Sequence, residues 1–137
     1  MSTITTPELT TYDSVLAAIS GFEKDEKPKS DTNILIIGCY KSFSQLVKEF
    51  PDDFPDLFFS DRSGIPYSKE LEDILFQLGA WRQVQDNNPD FLFFTITKRK
   101  KKLIWDEYRD IYKNDHKILG KFTKISRRFK EIYRGNN

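Results

Sequence analysis

The most distinctive chemical feature of this sequence is a run of cations. Five consecutive basic residues, KRKKK at 98–102, directly follow an apolar segment. The sequence predicts a loop here, at the end of a buried strand, where binding residues of α/β proteins often lie. Such a loop can contact nucleic acid, act as a nuclear-localisation signal or dock on an acidic protein. A solvated loop that keeps the sheet edge soluble is the alternative, and the sequence leaves it open.

The charge is distributed unevenly along the chain. Residues 1–97 contain 8 Lys/Arg and 16 Asp/Glu, a net charge of −8, whereas residues 98–137 contain 14 and 5, a net charge of +9. A basic C-terminal third predicts an acidic partner, but it can equally fold against the acidic part of the same chain. The predicted partner-binding residues are Lys98, Arg99, Lys100, Lys101, Lys102, Lys124, Arg127 and Arg128.

The residue types needed for catalysis or metal binding are sparse. The segment GCYKS at 38–42 contains only one glycine, too few for a phosphate-binding loop. Cys39 and His116 are the only cysteine and histidine, 77 positions apart, so a Cys-His pair or a zinc site is not expected. Four aspartates between 52 and 61 stand beside two prolines, which favours a solvated loop over a metal site. We therefore predict no enzyme, no cofactor and no metal.

Length and composition indicate one folded domain without a membrane span. The chain has 137 residues, of which 38% are hydrophobic and 15% aromatic, enough to form a core. No apolar run approaches the roughly 18 residues of a spanning helix, and residues 1–13 do not resemble a secretory signal. A single cysteine is typical of a reducing compartment. These features predict a cytoplasmic protein, with a nuclear location as the alternative.

Apolar spacing predicts alternating helices and strands. Expected helices span 12–22, 42–50 with a capping box at Ser42 and Gln45, 68–78 capped by Ser68, 103–113 and 117–134; expected strands span 33–38, 56–60 and 91–97. This order predicts an α/β fold: a small three-layer Rossmann-like domain with a short, mostly parallel sheet flanked by helices, and an extra N-terminal helix. Residues 1–32 would form that helix and a charged linker, and residues 33–137 a single α/β domain with basic C-terminal helices.

Residues 57–134 resemble the N-terminal domain of the tubulin–tyrosine ligase family. The shared pattern is a tyrosine that begins a helix, a Gly-x-Trp motif, a polar run, Asn-Pro-x-Phe and a strand. Its anchors are Tyr67, Gly79, Trp81, Asn88, Pro89 and Phe91. None of these anchors is catalytic; Gly79 is expected to end the helix and Trp81 to fill the turn toward the next strand.

The resemblance implies binding without catalysis. Family members join an amino acid to tubulin with ATP bound in a separate ATP-grasp region, and this sequence ends about where that region would begin. In the family, arginines after the last strand of this domain help to grip tubulin; Arg99 falls on such a position, whereas Thr97 stands where another arginine is expected. We therefore predict a non-catalytic protein that binds tubulin or a microtubule-based assembly, with a cilium as one setting. The alternative is a nucleic-acid-binding accessory protein that uses the same cations together with Phe122, Phe129 and Tyr133.

Overall fold

The computed structural model describes residues 10–77, 81–82 and 93–135, which form five α-helices and five short strands. The whole Asn-Pro-x-Phe motif, the first two residues of the strand predicted at 91–97 and Gly79 lie outside the described residues. The elements are α1 (Thr11–Ser20), β1 (Thr32–Leu35), α2 (Ile36–Glu49), a 3₁₀ turn (Pro51–Asp53), β2 (Ser60–Arg62), β3 (Ile65–Tyr67), α3 (Lys69–Gln77), β4 (Trp81–Arg82), β5 (Phe93–Ile96), α4 (Lys98–Ile111) and α5 (His116–Gly135).

The prediction of a three-layer Rossmann-like domain with a mostly parallel sheet is wrong. The three-stranded sheet has the order β1-β5-β4, and both of its strand pairs are antiparallel, with Ile34 opposite Phe94 and Trp81 opposite Phe94. Helices contribute most of the described structure. An antiparallel arrangement needs no helical crossover between neighbouring strands, so the sequence order of helices and strands did not fix the sheet.

The apolar run at 33–38 is divided between a strand and a helix. Strand β1 ends at Leu35 and α2 begins at Ile36. Ile36, Cys39 and Phe43 are buried on one helical face, so the stripe that predicted a helix from residue 42 extends back by two turns. Ser42 is therefore inside α2 and not its cap, and its Oγ donates a hydrogen bond to the Gly38 carbonyl at 2.7 Å.

The segment predicted as a strand at 56–60 contains only the first residue of a hairpin. Strands β2 and β3 pair antiparallel across Ser63 and Gly64, which have positive φ angles of 55° and 83°. Two successive positive φ values produce a tight turn whose twist matches that of the strands. The Asp61 carboxylate accepts a hydrogen bond from the Gly64 N–H at 2.7 Å and closes this turn.

The helices predicted near both ends of the chain are confirmed, and they form two apolar clusters. Helix α5 contacts both α1 and α2. Phe129 of α5 joins Val15, Phe43 and Leu75 in the larger cluster, here the main core. Helix α3 begins after Ser68, whose hydroxyl accepts a hydrogen bond from the Leu71 N–H at 3.2 Å, as predicted.

The second cluster, here the aromatic core, holds α4 against α1 and α5. The Phe122 ring lies 5.6 Å from Phe22, 4.9 Å from Tyr108 and 5.7 Å from Tyr112, measured between ring centroids. The Tyr108 hydroxyl donates to the Asp13 carboxylate of α1 at 2.8 Å. These contacts fix the position of α4, and with it the basic run. None of the helices in the described part of the chain is long and apolar enough to cross a membrane.

Candidate binding surface

The basic run forms the first turns of α4 and not a loop. Thr97 caps the helix: its hydroxyl accepts a hydrogen bond from the Lys100 N–H at 3.1 Å. The Asp31 carboxylate, from the segment before β1, accepts a second bond from the Lys98 N–H at 2.6 Å. Lysine and arginine are good helix formers, so this capped start extends the helix predicted at 103–113 by five residues.

Lys101 faces inward, unlike its neighbours in the run. Its side chain is 7% exposed, and its ammonium donates to the Ser30 carbonyl at 3.0 Å and to the Thr32 hydroxyl at 2.6 Å. Burial, followed by repulsion from Lys130, lowers the pKa of the Lys101 ammonium. Lys101 therefore ties α4 to the start of β1 and is not accessible to a partner.

The other four cations of the run remain at the surface. Lys98, Arg99 and Lys100 are exposed and Lys102 is half-buried. Among the described carboxylates, none lies within ion-pair distance of these four side chains. We call these four residues the α4 basic cluster.

The predicted arginines of α5 are instead paired with acids from the N-terminal part of the chain. Arg128 grips the Glu49 carboxylate with two bonds, of 2.6 and 2.8 Å, and lies 3.4 Å from Glu131. Arg127 lies 2.9 Å from Glu23. Hydrogen bonding to Arg128 lowers the pKa of the Glu49 carboxyl. For these arginines, the basic third of the chain does fold against the acidic part.

Lys124 lies apart from the α4 basic cluster. Its ammonium is 6.0 Å from the centre of the Phe50 ring, at the end of α2. The next turn of α5 carries Lys121, which lies 3.1 Å from the buried carboxylate of Asp53. The structure therefore divides the predicted site into four surface cations on α4, the buried Lys101 of the same helix, two internally paired arginines and a lysine beside α2.

Sequence analysis missed two cations near the end of α1, Lys130 and Arg134. A Cβ placed on Gly21 would lie 3.4 Å from Lys130 Cε and 3.9 Å from Lys101 Cε, so α4 and α5 bring two ammonium groups to the same helix end. Gly21 has a φ of 68° and ends α1 in the left-handed conformation. The sequence did contain a signal for Lys130 and Arg134: they are four positions apart and flank the apolar stripe of α5 at adjacent turns.

The structure also shows the surroundings of Cys39 and His116, which were considered as catalytic or metal-binding residues. Cys39 is fully buried, and burial raises the pKa of its thiol, so the thiolate is disfavoured. His116 is exposed at the start of α5. Within the described ranges, no group of three or more His, Cys, Asp or Glu side chains is arranged to hold a metal ion.

Comparison of this chain with protein-family models, with curated proteins and with solved structures finds no match.

Proposed function

We propose that this chain is a non-catalytic binding protein whose α4 basic cluster docks on an acidic protein surface. The partner we favour is tubulin or a microtubule-based assembly, including that of a cilium, in the cytoplasm or cytoskeleton. The resemblance over residues 57–134 suggests that partner, although the mostly parallel fold predicted from the order of helices and strands is not observed. The charge of the cluster therefore carries the proposal, and the resemblance only directs the choice of partner.

The main support for this proposal is an arrangement of positive charge that destabilises the start of α4. Cations in the first turn of a helix oppose its dipole, at a cost of about 0.3–1 kcal/mol each at low salt. Lys98 and Lys102 are also like charges at i, i+4 spacing, which is unfavourable by a few tenths of a kcal/mol. The Asp31 carboxylate caps this helix start through the Lys98 N–H, but no described carboxylate lies within ion-pair distance of the four side chains. A partner that supplies negative charge to these side chains therefore best explains the cluster.

The aromatic residues argue against the alternative of nucleic-acid binding. Phe122 and Phe129, proposed as stacking platforms, are 0% and 3% exposed and are therefore unavailable to bases. The Tyr133 hydroxyl accepts a hydrogen bond from the Leu35 N–H at 3.0 Å, and its ring stacks on Phe129. With Phe122 and Phe129 buried, contact with nucleic acid through this region would depend mainly on phosphate charge.

Microtubule co-sedimentation tests the proposal with a matched pair of variants. Replacing Lys98, Arg99, Lys100 and Lys102 with Gln should weaken binding by about tenfold or more, and higher salt should weaken the parent in the same direction. The control variant replaces four other exposed lysines, Lys41, Lys48, Lys69 and Lys113, with Gln, so it has the same net charge. It should bind as the parent does.

Three results would refute the proposal. Equal loss in both variants would mean that net charge, and not the cluster, controls association. An unchanged affinity of the cluster variant would leave the run as a solvated helix end. A random oligonucleotide that binds more tightly than microtubules, and that displaces them, would favour nucleic acid. Removal of the acidic tails of tubulin should weaken binding if the partner is assigned correctly.

A further inference from the structure

A small pocket is lined by residues that do not belong to the α4 basic cluster. It has a volume of about 270 Å³ and opens between the end of α1, strand β1 and the last turns of α5. Ile19, Ile34 and Phe129 form its apolar wall, and all three are buried. Lys130 and Arg134 line it as well. Ligand pockets typically measure about 300–1,000 Å³, so only a small ligand fits here.

The positive charge at this pocket is not neutralised by a described acid. Neither Lys130 nor Arg134 lies within ion-pair distance of any carboxylate in the described ranges. Behind them lies Lys101, whose ammonium donates to Thr32, itself a pocket residue. Repulsion between Lys130 and Lys101 contributes to the lowered pKa of the Lys101 ammonium. An anion in the pocket would relieve this repulsion.

We propose that the pocket binds a small amphipathic anion, namely a carboxylate with a short apolar body. The carboxylate pairs with Arg134 and Lys130, since a guanidinium offers two parallel donors to a carboxylate. The apolar body lies against Ile19, Ile34 and Phe129 and is thereby removed from water. Inorganic phosphate lacks that body, and a long acyl chain exceeds the volume.

This site is independent of the proposed docking function, because it uses α5 residues and none of the α4 basic cluster. Its competing explanation is structural. The C-terminal end of α1 carries a partial negative charge, and Lys130 lies beside Gly21 at that end. Under that explanation the two cations stabilise α1 and have no ligand.

Calorimetric titration of the full chain with octanoate tests the site. Acetate has the charge without the body, and 1-octanol has the body without the charge. Octanoate should bind at least about tenfold more tightly than either, because only it satisfies both halves of the pocket. Arg134→Gln and Lys130→Gln should each weaken octanoate binding by about fivefold or more. Lys124→Gln, an exposed cation of the same helix outside the pocket, should leave it unchanged.

Several outcomes would overturn the assignment. Absence of octanoate binding at millimolar concentration would exclude the site outright. Equal binding of 1-octanol, insensitive to Arg134→Gln, would show a plain apolar crevice. A lowered melting temperature in both α5 variants without any octanoate binding would assign the cations to the end of α1. Arg134 is exposed, so Arg134→Gln is expected to fold and keeps the test decisive.

Discussion

The cations of α4 and those of α5 belong to the same basic third of the chain, but their surroundings differ. Arg127 and Arg128 pair with Glu23 and Glu49 from the acidic part of the chain. By contrast, no described carboxylate lies within ion-pair distance of the four cationic side chains at the start of α4. Formal charge alone would treat the two helices as equivalent. The comparison teaches that a binding surface is better identified by charge left uncompensated after folding than by the number of basic residues.

The largest expected effect concerns how α4 is held in place. Phe122→Ala should destabilise the protein by about 3–5 kcal/mol, because it removes a fully buried ring that contacts Phe22 after α1 and Tyr108 of α4. Urea denaturation monitored by circular dichroism measures this change. Hydrogen exchange should show α4 losing protection before α2. A loss below about 1 kcal/mol would mean that the aromatic core does not anchor the basic cluster.

The next prediction separates the buried cation of α4 from an exposed one. Lys101→Ala should cost about 1–3 kcal/mol, because the Ser30 carbonyl and the Thr32 hydroxyl lose their donor. Lys98→Ala is the matched control, and it should not destabilise the protein, because the side chain is exposed and its charge opposes the helix dipole. Equal costs in chemical denaturation would remove the distinction between a structural lysine and surface lysines within one run.

A charge reversal in the α4 basic cluster should raise stability while weakening binding. Lys100 occupies the third helical position after the Thr97 cap, so Lys100→Glu completes a capping box and reverses an unfavourable interaction with the helix dipole. We expect a gain of about 0.3–1 kcal/mol in unfolding free energy. Lys113→Glu, near the other end of the helix, has the same change in charge and should not stabilise. A destabilised Lys100→Glu protein would show that the cluster does not trade stability for function.

The smallest effect is expected for the ion pairs of α5. Arg128→Gln should lower stability less than Lys101→Ala does, because the pair with Glu49 is partly solvated. A double-mutant cycle with Glu49→Gln isolates the pair. The pKa of Glu49 is lowered from 4.5 by Arg128, so the pair stabilises the fold above about pH 4.5 and loses this effect as pH falls through the folded-state pKa. A cycle with no coupling at pH 7, or coupling unchanged at pH 3, would contradict the assignment.

Local sequence patterns predicted the elements with long, regular apolar spacing. Helix α5 was expected at 117–134 and spans His116–Gly135, because its stripe repeats over five turns. The Ser68 cap of α3 was also predicted. The apolar run at 33–38 was assigned to a strand because a short run of Ile fits either state. In the structure the segment is helical from Ile36 onward, because the apolar stripe of α2 is buried and the helix packs against α5.

The basic run is visible in the sequence, but the loop predicted for it is wrong, and Lys101, which was predicted to bind a partner, is buried. One cap comes from Thr97, directly before the run, whereas the second comes from Asp31, 67 positions before Lys98. Such a distant contact leaves no periodic signal. The same holds for the inward orientation of Lys101, whose partners Ser30 and Thr32 belong to another element.

The sequence by itself determined the charge asymmetry, the amphipathic helices and the residues that form the core, because each depends on composition or on spacing within one segment. The tertiary structure alone decided the antiparallel sheet, the burial of Lys101, the pairing of Arg127 and Arg128 and the exposure of the remaining cations of α4. These features depend on which distant segments meet. A charge becomes structural or available for binding according to the acids and carbonyls that folding brings beside it, and their identity is not encoded in its immediate neighbours.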